Sequence, residues 1–141
     1  MSDRLAELIP VTQDNVAEVF ELVYAPWIKH MGLTDCVVRE GFCSFRLPQD
    51  ANLQFVSGSL CGQALMAAID TAASLAASTG PSRNKGTVYQ HTHFLRPAAG
   101  EDVLIEAQVR RFGRSSAYVD CSVTLTDSGA LCTHAVLEFA Y

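Results

Sequence analysis

The sequence has little positive charge and lacks the cysteine pairs that are typical of zinc sites. Its 10 lysine and arginine residues stand against 15 aspartate and glutamate residues, for a formal net charge of −5. Because nucleic acids and anionic membranes select basic surfaces, this balance argues against both as partners. The five cysteines are odd in number and form no C-x-x-C motif, which indicates reduced thiols and excludes a disulfide framework.

Repeats, low-complexity tracts and linkers are also missing. The first residues, MSDRLAEL, contain acidic groups and no apolar h-region, so we expect no signal peptide and a cytoplasmic location. A chain of 141 residues with 49% hydrophobic content can bury one sizeable core. We therefore predict a single domain over residues 1–141, in which residues 1–31 form an N-terminal helical segment.

The sequence does contain a long apolar stretch, Ser57–Pro81, that carries a single charge at Asp70. Its alanine-rich composition predicts a central helix over about 61–79 that is buried on every side, and it is too short for a membrane span. Ser57–Ser59 supply capping residues before the helix, and Gly80–Pro81 mark its end. A lone carboxylate inside a buried helix is costly unless it is paired or useful, so Asp70 is the first candidate for a functional residue.

Periodicity predicts the remaining elements. Apolar residues from Val16 to Trp27 fall at helical spacing, in a helix that should kink or end near Pro26 and close at Gly32. Alternating patterns predict strands at residues 34–47, 87–95, 102–111, 117–126 and 130–140. Short connections between successive strands imply an antiparallel sheet. We therefore predict the α+β class, with a curved antiparallel sheet wrapped around the central helix.

Short motifs occur in a fixed order along the chain. Gly58–Gln63, with the sequence GSLCGQ, is followed by Asp70. Further motifs are His30–Leu33, Thr87-Val88, Phe94–Ala98, Gly100-Glu101 and the turn Arg111–Arg114. In order and spacing, over roughly residues 25–141, they resemble the hotdog-fold acyl-CoA thioesterases of the phenylacetate-pathway type, whose segment reads G-x-x-H-G-G…D.

This resemblance implies a hotdog fold and the hydrolysis of acyl-CoA thioesters to free acid and coenzyme A, with no separate cofactor. It implies that Asp70 is the general base or nucleophile, and that Thr87 holds the attacking water or steers the carboxylate. The N–H groups of Gly62 and Gln63 at the helix N-terminus are natural donors to the thioester carbonyl. The family also implies a homo-oligomer, either a dimer or a dimer of dimers.

Spacing along the helix gives a separate argument for an oligomer. Asp70 lies eight residues after Gly62, which corresponds to about 12 Å along the axis. No single thioester carbon can contact both residues within one subunit. The site is therefore expected to combine Asp70 of one chain with Gly62 of another.

Three positions depart from the family pattern. Cys61 stands where the family has histidine, Gln63 where it has a second glycine, and Phe55 where it frequently has asparagine. Cys61 could be a nucleophile at the helix N-terminus, but we favour a small packing residue in contact with substrate. Gln63 could bond the substrate or cap the helix. These changes leave a catalytically weak or inactive acyl-CoA-binding protein as the alternative function.

Two further groups are candidates for binding. His91 and His93 share one strand face at a spacing that metals favour, but no third ligand is identifiable and we predict no metal site. By resemblance, His93 lines the substrate pocket. Arg96 and the turn Arg111–Arg114, including Gly113, correspond by resemblance to the binding site of the coenzyme A phosphates, although a solvated turn is the alternative. A hydratase on the same fold ranks low, because it needs a histidine paired with an acid in a motif that is absent.

Overall fold

A computed structural model describes residues 2–141 of the chain. The helices are α1 (Ser2–Glu7), α2 (Val16–Val23), α3 (Pro26–Lys29) and α4 (Gly62–Ala77), with a 3-10 turn at Ala51–Leu53. The strands are β1 (Thr34–Arg39), β2 (Phe42–Leu47), β3 (Gly86–Phe94), β4 (Val103–Phe112), β5 (Ser116–Leu125) and β6 (Leu131–Ala140). They form a six-stranded antiparallel sheet in the order β1-β2-β4-β5-β6-β3, against which α4 packs. The predicted α+β class and hotdog fold are confirmed.

The core lies between α4 and the concave face of the sheet. Alternate residues of β4, β5 and β6 point toward the helix, which explains the period-two pattern of their sequences. Ala68, Ala72, Ala73 and Ala76 of α4 are fully buried, and their small side chains allow the sheet to approach the helix backbone closely.

Two predicted elements are each divided in the structure. Residues 34–47, predicted as one strand, form the hairpin of β1 and β2, because Gly41 adopts the left-handed conformation (φ +73°) that a tight turn requires. The predicted helix that ends near Pro26 is split into α2 and α3, with Pro26 as the first residue of α3. Proline favours this position because its missing N–H has no helical partner there.

One side of α4 is less buried than the sequence indicated. Gln63, Met66, Asp70 and Ser74 follow one another along one helix face and are all partly or largely exposed, with Met66 at 37%. The prediction that the helix is buried on every side is wrong for the single chain, because one sheet covers only one side of a helix. We call these four residues the open face of α4.

Strand β3 lies at one edge of the sheet and pairs only with β6. A bulge interrupts this pairing, since Thr87 lies opposite Phe139 while Tyr89 lies opposite Glu138. As a result Thr87 points toward α4, whereas Tyr89 points to the outer face of the sheet. After the bulge, Gln90 returns to the inner side, where its Nε2 lies 3.4 Å from the carbonyl oxygen of Met66.

The N-terminal segment packs on the C-terminal half of α4. Its apolar residues Leu8, Val11 and Val19 are buried, and the amide of Val11 donates a 2.9 Å hydrogen bond to the carbonyl of Ser78. These contacts hold α1 and α2 beside the helix. Across residues 2–141, no helix has the length and apolar character needed to cross a membrane.

Candidate active site

The single charged residue of α4 is bonded to the edge strand. The Oγ1 of Thr87 donates a 2.6 Å hydrogen bond to Oδ1 of Asp70. Burial raises the pKa of Asp70, and the bond from Thr87 offsets part of that rise. No lysine or arginine in residues 2–141 forms an ion pair with this carboxylate. A half-buried carboxylate with a raised pKa and one fixed oxygen is suited to accept a proton from water.

The N-terminus of α4 forms a second, separate arrangement. Cys61 is the N-cap, and its Sγ accepts a hydrogen bond from the amide of Ala64 at 3.4 Å. Cys61 therefore caps the helix in place of the Ser57–Ser59 cap that the sequence suggested, and it also packs against the core as predicted. In the described part of the chain, the amides of Gly62 and Gln63 have no protein acceptor. Two free N–H groups at a helix N-terminus can stabilise a developing negative charge.

A cavity of about 470 Å³ opens beside this helix end. Phe55, Gly62, Phe94 and Arg96 line it. A Cβ atom added at Gly62 would lie only 3.2 Å from the Cζ of Phe94, so glycine lets the ring lie against the backbone. The structure thus brings together Phe55, Gly62 and Arg96, which the sequence had suggested separately.

Other predicted site residues lie apart from these. Because Gly62–Ala77 is one continuous helix, Asp70 remains about 12 Å along the axis from Gly62 within one chain. The turn that carries Arg111, Gly113 and Arg114 lies near the opposite end of α4. There the ring of Phe112 packs so closely on Gly80 that an added Cβ would meet it at 2.8 Å.

The two histidines of β3 lie on the outer face of the sheet. His91 Nε2 is 2.8 Å from His93 Nε2, and His93 lies opposite His134 of β6. Since Gln90 and Thr92 occupy the inner face, His93 does not join Asp70 or Gly62 within the chain. Within residues 2–141 no group of three or more histidine, cysteine, aspartate or glutamate side chains is placed to hold a metal ion.

Three residues near Asp70 were missed in the sequence. Ser74 lies one turn after Asp70, and Asn84 Nδ2 donates to the Oγ of Ser74 at 3.1 Å. The hydroxyl of Tyr24 lies 3.5 Å from the carbonyl oxygen of Thr71. Burial raises the pKa of Tyr24, and the charge of Asp70 contributes to that rise. The helical spacing from Asp70 could have identified Ser74, but no local pattern identifies Tyr24.

Comparison with known proteins assigns the class. A sequence model described as the thioesterase superfamily matches residues 58–132, which is more than half of the chain. This chain belongs to the thioesterase superfamily. Family membership supports thioester hydrolysis as the general activity.

Two individual proteins are similar to the chain over much of its length. The chain is 38% identical over 87 residues to protein TV1331 of Thermoplasma volcanium. That match covers 61% of this chain and 65% of TV1331, which is slightly less than two thirds of the relative. Among solved structures, the conserved protein PA5202 of Pseudomonas aeruginosa is 28% identical, with a TM-score of 0.75, over 85% of this chain and 96% of that one.

A more distant structure supports the fold alone. The E. coli PaaI protein from the phenylacetic acid degradation operon has a TM-score of 0.78 and 23% identity. The alignment covers 90% of each chain.

Proposed function

We propose that the protein hydrolyses acyl-CoA thioesters to free acid and coenzyme A, and that each active site is shared by two subunits. The supporting observation is that the candidate base and the candidate oxyanion donors are separated within one chain. Asp70 with Thr87 and the free amides of Gly62 and Gln63 lie too far apart on α4 to act on one carbonyl. Pairing Asp70 of one subunit with the helix N-terminus of another removes this separation.

Asp70 would transfer one proton in each half of the reaction. Asp70, acting as general base, takes a proton from water while the water oxygen attacks the thioester carbon. The carbonyl oxygen becomes an oxyanion that the amides of Gly62 and Gln63 stabilise. When the C–S bond breaks, the thiolate of coenzyme A takes the proton from Asp70. Because Thr87 occupies one carboxylate oxygen, the other remains for the water. Direct attack by Asp70, with an anhydride intermediate, is the variant in which it acts as nucleophile.

The edge strand supports a dimer. Val88, Tyr89, Phe94 and Leu95 are 51–59% exposed along β3, and its outer backbone edge has no partner strand in the described chain. An exposed edge of this kind is a template for pairing with a second copy. Antiparallel pairing of two β3 strands about a twofold axis would bring the open faces of two α4 helices together. A dimer of dimers is compatible with this arrangement.

We assign the coenzyme A side of the substrate to the cavity at Gly62. Phe55, Cys61 and Gln63 would contact the pantetheine or carbonyl, and Arg96 at the cavity rim would meet the phosphates. Arg111, Gly113 and Arg114 would approach the same phosphates only from another subunit. The substrate supplies the coenzyme A, so no separate cofactor is involved, and the proposed location is the cytoplasm.

Mixing of two inactive variants tests the shared site directly. Asp70→Asn removes the base and Gly62→Val blocks the helix N-terminus, so each homodimer should release little thiol from acyl-CoA. After the two are unfolded together and refolded, we expect about a quarter of the wild-type activity, because half of randomly paired dimers are mixed and each keeps one intact site. Sedimentation analysis of the same samples measures the oligomeric state. A fully active monomer, or no recovery in proven mixed dimers, would refute the shared site.

The second candidate function is acyl-CoA binding without turnover. Its support is Cys61, which occupies the position of the family's histidine and uses its thiol to cap the helix. Binding of acyl-CoA by calorimetry, with no thiol release from any member of an acyl-CoA panel, would establish this function.

A further inference from the structure

A second cavity, of about 250 Å³, lies between the N-terminal helices and the C-terminal half of α4. Its apolar wall is formed by Leu5, Ile9, Val19, Val23 and Leu75. The N-terminal segment therefore contributes most of the apolar wall.

This cavity begins beside the Asp70–Thr87 pair. Ser74, one helical turn after Asp70, is part of its lining, and so is Gly86, the residue directly before Thr87. Tyr24 also lines it, and that side chain is close enough to Asp70 for the carboxylate charge to contribute to its raised pKa. The cavity therefore lies next to this pair, on the side of α4 that carries Asp70 and Ser74.

We propose that this cavity receives the acyl group of the substrate and selects uncharged chains of about six to ten carbons, or aryl groups of similar size. The inference rests on the proposed hydrolysis of acyl-CoA. A cavity of about 150 Å³ accommodates benzene. By that measure, the 250 Å³ observed here accommodates about ten non-hydrogen atoms.

Two of the polar groups at the rim already have protein partners. Lys85 Nζ donates to the carbonyl oxygen of Tyr141 at 3.0 Å, and Asn84 is bonded to Ser74. Arg83 is exposed and stands at the mouth of the cavity. The side of the cavity that the N-terminal segment forms offers four aliphatic side chains and Tyr24. The cavity at Gly62, which has Arg96 on its rim, suits the charged coenzyme A portion better.

Calorimetry with S-(2-oxoalkyl)-coenzyme A analogues of increasing chain length tests the inference without requiring turnover. We expect the affinity to rise about fourfold for each added methylene and to stop rising at about eight to ten carbons. An affinity that does not depend on chain length would refute the assignment. Tighter binding of an analogue that ends in a carboxylate would also refute it, since it would make the cavity an anion site.

Two substitutions of valines with similar exposure test whether the dependence on chain length arises in this cavity. Val23 lines the cavity and is 49% exposed, whereas Val37 on β1 is 45% exposed and is not part of the lining. Val23→Trp should weaken binding of the octyl analogue about tenfold and leave the two-carbon analogue nearly unchanged. Val37→Trp should change neither. Equal losses in both variants, or no loss in Val23→Trp, would overturn the proposal.

The outcome separates this inference from the proposed function. Length-dependent binding that responds to Val23→Trp supports the acyl cavity even if no thioester is hydrolysed, and the hydrolase proposal alone would then fail. Hydrolysis with length-independent binding refutes the cavity assignment alone. An absence of binding by every analogue refutes both.

Discussion

The Oγ1 of Thr87 lies 2.6 Å from the Oδ1 of Asp70, and this bond joins the exposed edge strand to the only charged residue of the central helix. The bond fixes one carboxylate oxygen and leaves the other available. It also makes the position of the carboxylate depend on β3, the strand through which we propose that two chains pair.

Removing the charge of Asp70 while keeping its shape should separate catalysis from structure. In Asp70→Asn we expect kcat for acyl-CoA hydrolysis to fall by about 10²–10⁴, the range that general-base catalysis contributes. KM should change little, because the phosphate and pantetheine contacts lie elsewhere. Steady-state thiol release measures both constants. A variant that melts at a lower temperature yet turns over near the wild-type rate would show that Asp70 is a structural residue.

The raised pKa of Asp70 gives this substitution a pH-dependent effect on stability. Because burial raises the folded-state pKa above the ordinary value of 3.8, the folded protein holds the proton more tightly than the unfolded chain does. This contribution to stability is complete below the unfolded pKa and is lost as the pH rises through the folded pKa. Asp70→Asn should therefore stabilise the protein more at neutral pH than in acid, as urea unfolding at about pH 4 and pH 7 would measure. An equal effect at both pH values would contradict the assignment.

Thr87 should control the pH profile through its bond to Asp70. Thr87→Val removes the donor, and we expect the activity to decrease by about 10- to 100-fold, the equivalent of a hydrogen bond to a charged group. Since the Thr87 bond lowers the pKa of Asp70, the acidic limb of the kcat/KM profile should move to higher pH. Thr87→Ser keeps the hydroxyl and is the matched control. If the valine and serine variants have the same profile, the hydroxyl has no role in positioning the carboxylate.

The capping role of Cys61 can be distinguished from a role as nucleophile. Cys61→Ser keeps an N-cap acceptor, whereas Cys61→Ala loses it and should reduce the free energy of unfolding by about 0.5–1 kcal/mol. Both variants should keep most of the thioesterase activity. Mass spectrometry of protein quenched during turnover provides the decisive measurement. An acyl group on Cys61, together with a loss of activity as deep as that of Asp70→Asn, would identify it as the nucleophile.

The turn Arg111–Arg114 should affect binding and leave the chemical step intact. We expect Arg114→Ala to raise KM for acyl-CoA far more than it lowers kcat, because phosphate contacts remote from the carbonyl stabilise ground state and transition state alike. Arg39→Ala is the control, since Arg39 is an exposed cation on β1 and our assignments give it no contact with the substrate. An unchanged KM in Arg114→Ala would identify a solvated turn.

The sequence was sufficient to predict secondary structure and burial where a local pattern determines them. The alternation in β4, β5 and β6 and the alanine-rich composition of α4 reflect the burial of one strand face and of most of the helix surface. The acid and hydroxyl pair of Asp70 and Thr87 came from family resemblance. Tyr24 could not be predicted, because its hydroxyl meets a carbonyl 47 positions away in the sequence. The β1–β2 hairpin was missed although the polar residues Arg39 and Glu40 before Gly41 mark a turn, because the alternation over Cys43–Leu47 says nothing of the residues before it.

The outward position of His93 also could not be read from the sequence. Simple alternation along β3 places Thr87, Tyr89, His91 and His93 on one face, which would bring the imidazoles toward Asp70. The bulge at Val88 exchanges the faces that the side chains after Thr87 occupy, and nothing in the local sequence indicates this bulge.

That bulge has an evolutionary consequence. Deletion of Val88 alone would leave Tyr89 opposite Glu138 and Gln90 opposite Leu137, so every later residue of β3 would keep its present face. Only pairing that keeps Val88 and loses the bulge would exchange the two faces and turn His91 toward Asp70. The length of β3 can therefore change by one residue during evolution without bringing a histidine beside the carboxylate, as a hydratase on this fold would require.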